Sequence, residues 1–176
     1  MSLKVQNFLF LVMFISLSTI TSNILWNSYS WRIIPQMLLI ILIALVGEHL
    51  VSSQGYYYYT RHERNGPFLR NIPMWIIFLW IFLIQASYIV SLLVGLNGLS
   101  ACLFSGWFAS LIDFVFLEPL MSRMMGLWLW TPVEKGYFGF IPSRFNRFTA
   151  PPGNYITWLL FPILANCFLG IILILL

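Results

Sequence analysis

Charge is scarce in this sequence. Only 8% of its 176 residues are Asp, Glu, Lys or Arg, where a soluble domain carries about 25%. That leaves too few polar side chains to cover a water-facing surface, and a chain of this length must still expose much of its area to something. With 60% hydrophobic and 18% aromatic residues, the surface is matched to lipid. Cysteine is scarce too. Cys102 and Cys167 each sit inside an apolar run, with no CxxC or Cys/His spacing, so they read as small apolar side chains and not as a disulfide or a metal site. The sequence holds no P-loop, GxGxxG, HExxH, His-box or GxSxG, which leaves nucleotide, metal and serine-hydrolase chemistry without support. A channel or transporter needs none of these. The basic residues flank apolar runs instead of forming a stripe, so no nucleic-acid partner is expected.

What the chain has instead is a series of apolar runs. A membrane span needs about 20 mainly apolar residues, and five candidates occur, at about 8–25, 33–53, 72–96, 99–120 and 155–176. The expected fold is all-α: a polytopic transmembrane helical bundle forming one integral membrane domain over residues 1–176. Lys4 ahead of the first run imitates a signal peptide, but LSTITS supplies small residues without an A-x-A site. Five spans place Lys4, Arg61, Arg64, Arg70, Arg123, Lys135, Arg144 and Arg147 on one side and Arg32 alone on the other. Such a division is what the positive-inside rule predicts, so the N-terminus is expected in the cytoplasm and the C-terminus on the opposite face of a cell membrane. The connection at about 121–154 is aromatic and basic, with Trp128, Trp130, Tyr137, Phe138, Phe140 and Phe145. It suits a segment at headgroup level, or a lid over a site that opens toward the cytoplasm.

Three of the five acidic residues lie in apolar runs: Glu48, Asp113 and Glu118. A carboxylate in hydrocarbon costs a few kcal/mol or more, so such residues usually face a cavity and serve function. The second and fourth spans run in the same direction, which brings all three acids to similar depth near the cytoplasmic side. One reading is structural ions satisfied by Arg123, Arg61 or His49; the other is a functional pocket, favoured by the shortage of basic residues at that depth. Carboxyl groups crowded out of water share protons, and a retained proton is what acid catalysis requires. If the second helix continues, Ser52, Gly55 and Tyr59 share a face with Glu48. Gly55 then permits close approach to the backbone, and Tyr56 to Tyr59 either form an interfacial belt or line a pocket. His49 is an interior histidine or a proton relay. Pro119 marks the end of the fourth helix.

The segments GEHLVSSQGYYYY, DFVFLEPLMSRMMGLWLW and GYFGFIP together resemble the membrane-embedded carotenoid biosynthesis family. Its named members are carotenoid hydratases, including bisanhydrobacterioruberin hydratases of archaea and hydratases acting on γ-carotene in bacteria. The family pattern has a Glu with a Gly–Tyr segment, Asp-x-x-x-Asp-Pro, Gly-x-Trp-x-Trp and a Gly-x-Tyr-rich stretch ending in Pro. Here it is matched by Glu48, Gly55, Tyr56, Asp113, Pro119, Gly126, Trp128, Trp130, Gly136, Tyr137, Gly139 and Pro142, across about 47–142. The sequence departs from the pattern in carrying Glu118 as the second acid, with one extra residue after Asp113. It also has SRFNRF where Asn-Phe-x-Gly-Trp is expected, and a short chain.

The resemblance implies hydration of the terminal double bond of an acyclic carotenoid end group, with no redox cofactor and no metal. An alkene is a feeble base, so a carboxylic acid must be held against it. Asp113 is the expected proton donor, with Glu48 and Glu118 holding water. His49, Gly55, Tyr56, Tyr59, Trp128, Trp130 and Tyr137 are the expected substrate-binding residues, and aromatic faces steady the cation. The implied partners are a lipophilic polyene substrate and membrane lipid; the sequence does not speak to oligomeric state. Two alternatives stay open. Cyclisation, as in small membrane lycopene cyclases, starts from the same protonation. A small proton-coupled lipid transporter or accessory subunit also uses intramembrane acids, although five spans and no internal repeat sit poorly with paired transporter halves.

Overall fold

The computed structural model describes residues 3–61, 63–131 and 150–175. It is about 80% helical, as expected for apolar runs whose backbone must satisfy its own hydrogen bonds. Helices form at all five expected places: α1 (Leu3–Tyr29), α2 (Ile33–Ser53), α3 (Met74–Leu93), α4 (Gly98–Ile112) and α5 (Pro152–Leu175). Among the described residues, three helical stretches are long and apolar enough to cross a membrane: Phe8–Ser53, Met74–Leu93 and Gly98–Met124. The first of these folds back on itself at a short 3-10 turn, Ser30–Arg32, where Ser30 takes a φ of 54°. Phe14 stacks on Trp75 near the start of α3, while Glu48, far along α2, bonds to Trp80 of the same helix. Helices α1 and α3 therefore run in one direction and α2 in the other.

Three of the expected boundaries are corrected. Pro119 does not end the fourth helix; the chain continues from α4 as a π-helix over Asp113–Met124, with Pro119 inside it. The wider π turn accommodates a ring that would clash with the carbonyl four residues back in an α-helix. Residues 121–124, expected in the connection, are thus helical, and Trp128–Trp130 form strand β4. The second helix does not carry Gly55 and Tyr59 on the Glu48 face. It ends at Ser53, and Gly55, at φ 79°, closes it with paired reverse bonds, Gly55 N–H to Ser52 C=O and Tyr56 N–H to Val51 C=O. The tyrosine run, rich in β propensity, then extends as β1 (Tyr57–Tyr59). A second small ribbon, β2 (Phe68–Leu69) with β3 (Ile72–Pro73), leads into α3. The part of the expected aromatic lid between 132 and 149 lies outside the described residues.

Two devices hold the bundle. Gly106 of α4 lets α5 approach so closely that a Cβ there would overlap the Leu159 carbonyl oxygen and the Ile163 side chain. A chain of buried amides and hydroxyls also ties together all five helices. Thr21 and Ser22 of α1 donate to Gln85 of α3 at 2.9 and 2.8 Å, and Gln85 donates to Gln36 of α2 at 3.3 Å. Gln36 donates to Asn166 of α5 at 2.8 Å, and Asn166 donates to Ser105 of α4 at 2.9 Å. Between helices in lipid such bonds are worth about 0.6 kcal/mol each on average; they choose which polar face meets which.

Candidate active site: a carboxylic-acid pocket under an aromatic ribbon

At the opposite end from the Ser30 turn, β1 pairs antiparallel with β4, Tyr57 opposite Trp130, Tyr58 opposite Leu129 and Tyr59 opposite Trp128. Alternation along a strand sends every second side chain to one face. Tyr57, Tyr59, Trp128 and Trp130 therefore point into the bundle, while Tyr58 and Leu129 are exposed. Thr60 and the buried Asn65 pin the ribbon through the carbonyls of Gly126 and Leu127, at 2.7 and 2.6 Å.

Beneath the ribbon three carboxyl groups line one cavity of about 50 Å³: Glu48 from α2, and Asp113 and Glu118 from the π-helix. Glu48 Oε2 accepts from the hydroxyls of Tyr57 and of Tyr59 (2.8 Å), and Oε1 accepts from the Trp80 indole at 2.9 Å. Glu118 is fully buried, and its Oε1 and Oε2 accept from the indoles of Trp128 (3.1 Å) and Trp130 (3.0 Å). Asp113, 1% exposed, accepts on Oδ2 from the Asn154 amide at 2.6 Å. Burial, the neighbouring Glu48 and the hydrogen bond to it hold the Tyr59 phenol well above its usual range, so it stays a protonated donor. The remaining wall is aromatic, with Trp80 and Trp158 stacked at 4.6 Å. The cavity has room for one or two water molecules, and the acids supply the polar partners that water requires.

A second cavity, of about 570 Å³ and mostly apolar, shares Glu48, Tyr57, Trp80, Trp130 and Asn154 with the first. Glu48 is half-buried and belongs to both. The site is thus a small wet pocket of acids opening onto a greasy chamber. A volume of this size lies within the usual range for small-molecule sites, roughly 300–1,000 Å³.

The structure brings together Glu48, Asp113, Glu118, Tyr59, Trp128 and Trp130 of the residues expected from sequence. Tyr56 is 55% exposed and touches only the apolar chamber. Gly55 and His49 line neither cavity. Gly55 O accepts from the Thr131 hydroxyl, and His49 Nδ1 is buried with no hydrogen-bond partner among the described residues. Tyr137 lies outside the described residues. Arg61, considered as a partner for the acids, packs over the Phe68 ring at 4.7 Å instead, and Arg123 is exposed. Sequence reasoning missed Trp80, Asn154 and Trp158, and held Tyr57 only as a member of the 56–59 run without singling it out. The signal for Tyr57 was the strand period that pairs 57 with 59; Asn154, a polar residue opening an apolar run, was a second legible clue.

A helical protein of membrane character, built around a pocket of carboxylic acids, is the class that fold and site define. Within it, the chain belongs to the carotenoid biosynthesis protein family, whose model matches residues 6–173. Its role is therefore in carotenoid biosynthesis. No curated protein and no solved structure matches it.

Proposed function

We propose that this chain is a carotenoid hydratase, adding water across the terminal double bond of an acyclic carotenoid end group. The observation that carries the reading is the convergence of three carboxyl groups on a pocket with room for water, beside an apolar chamber. Family membership supplies the substrate class.

Asp113 is the proton donor. Its carboxyl is held by the Asn154 amide on Oδ2, which leaves Oδ1 to carry a proton toward the alkene. Protonation at the less substituted carbon moves the π electrons into a new C–H bond and leaves a tertiary cation. Glu48 and Glu118, each ringed by N–H or O–H donors, are suited to the acceptor-only carboxylate. They offset the cation's charge and take the proton released when water forms the C–O bond. Return of that proton to Asp113 completes the cycle, and water is the only co-reactant. Trp80, Trp128, Trp130 and Trp158 line the pocket and give the cation aromatic surroundings. The same reading has the chain cross the cell membrane five times, with the N-terminus cytoplasmic, which sets the acid pocket near the cytoplasmic face.

The test is expression in a host that accumulates lycopene or a related acyclic carotenoid, with pigments resolved by liquid chromatography and mass spectrometry. The expected product is heavier by one water, and Asp113→Asn lowers its yield about 100- to 10,000-fold, the usual weight of a general acid. An equal-mass product with a shifted spectrum assigns cyclisation instead. Unchanged pigment with the protein confirmed in the membrane rejects hydration of that polyene.

A further inference from the structure

Helices α2 and α5 meet tightly only at one end. There Gln36 donates to Asn166 Oδ1 at 2.8 Å, both residues fully buried. Toward the acid pocket the pair separates, and the 570 Å³ chamber fills the gap. Its walls are Gly47, Leu50 and Val51 on α2 and Gly153, Thr157 and Phe161 on α5. Leu50 is 50% exposed on the outer surface. On α2 the chamber is lined over residues 47–51 and on α5 over residues 153–161, so at about 1.5 Å per residue the opening is a wedge about one to two helical turns deep. Its floor is formed by Glu48, Tyr57, Trp80, Trp130 and Asn154, the residues it shares with the acid pocket.

The two glycines mark the mouth. A Cβ added at Gly47 or at Gly153 meets no described atom within 4 Å. Gly47 sits inside a helix, where glycine is about 1 kcal/mol less favourable than alanine, and nothing in the packing asks for it. Gly106 is the contrast, since there the close approach of α5 excludes any side chain. The other large apolar depression, about 470 Å³ between α4 and α5, is lined by Trp107, Phe114, Tyr155 and Ile156 among others, and no acid reaches it.

We propose that the substrate enters sideways from the bilayer through the wedge between α2 and α5, with Gly47 and Gly153 as its gateposts. The occupant is the terminal isoprenoid end of a long acyclic polyene, whose remaining length stays among the lipid chains; that identity rests on the hydratase reading. The end group slides past Leu50 and Phe161, meets the stacked Trp80 and Trp158, and stops with its terminal double bond at the acids. The Gln36–Asn166 bond lies beyond the inner end of the wedge and stays closed, so entry needs no unzipping of the bundle.

The experiment uses the full chain in lipid nanodiscs loaded with an acyclic carotenoid, and reads pigment retained per protein alongside the mass of that pigment. Gly47→Trp and Gly153→Trp should each lower retained pigment about tenfold or more, roughly 1.4 kcal/mol of binding. Ile156→Trp, in the α4/α5 depression, should leave it within about twofold. Gly47→Leu, smaller and favoured in a helix, serves as the second blocking variant should a tryptophan reduce yield. Full retention in the Gly47 and Gly153 variants overturns the route, as does loss in Ile156→Trp alone, or a wild-type chain that retains no pigment. Pigment that is retained through the wedge but never gains water overturns hydration while leaving the route standing.

Discussion

Replacing each glutamate of the pocket by glutamine separates two kinds of hydrogen-bond clamp. Glu118 is gripped by two indoles, Trp128 and Trp130, one on each oxygen. An indole N–H only donates, so whichever way the new amide turns, its NH₂ faces an indole N–H and one donor is stranded. Glu48 differs: Trp80 holds Oε1, but the partners on Oε2 are the hydroxyls of Tyr57 and Tyr59. A phenol both donates and accepts. In Glu48→Gln the amide oxygen can therefore face Trp80 while its NH₂ donates to a rotated tyrosine hydroxyl. Stranding a buried donor costs roughly 1–3 kcal/mol, more where the lost bond was to a charge. Glu118→Gln should thus lower stability by about that amount, and Glu48→Gln by less than about 1 kcal/mol. Thermal unfolding in detergent, followed by near-ultraviolet circular dichroism of the tryptophans, reads both. For a chain of this length each kcal/mol shifts Tm by about 2–4 °C. Equal shifts, or a larger one for Glu48→Gln, would refute the donor geometry.

Two further outcomes concern the frame around the site. Gly106→Leu must push α5 off α4, and because Asn154 of α5 bonds to Asp113 next to α4, it should lose stability by about 1–3 kcal/mol of overpacking and lose product as well; an unaltered Tm and pigment profile would contradict the close packing. Tyr59→Phe bears on alkaline stability. The folded phenol holds its proton more tightly than the unfolded one, so this contribution is present below about pH 10 and is lost as pH rises above it. Unfolding midpoints measured from neutral to strongly alkaline pH should fall less steeply in Tyr59→Phe than in the wild type, and parallel curves would remove Tyr59 from the account.

Much of the architecture was legible because hydropathy is a local sum. Runs such as MLLIILIALV and MWIIFLWIFLI must be helical in an apolar solvent whatever they pack against. The common depth of Glu48, Asp113 and Glu118 followed from alternating helix direction alone, and the three acids do meet in one cavity. The local reading failed where a distant segment decides. The face assigned to Tyr59 assumed a continuing helix, but Gly55 closes that helix and β4, some seventy residues on, draws the tyrosines into a ribbon. The same long-range pairing selects Tyr57 over Tyr56. Pro119, an expected helix end, is absorbed by π geometry.

By itself the sequence determined a lipid-matched helical chain with three acids displaced from water, because composition and periodicity depend only on neighbours along the chain. Which donors hold each acid was decided only by tertiary structure: Trp80 for Glu48, Asn154 for Asp113, Trp128 and Trp130 for Glu118. So was the wedge that leads to them, because hydrogen-bond partners and cavities arise from side chains that meet across helices, and no local pattern encodes which surfaces come together.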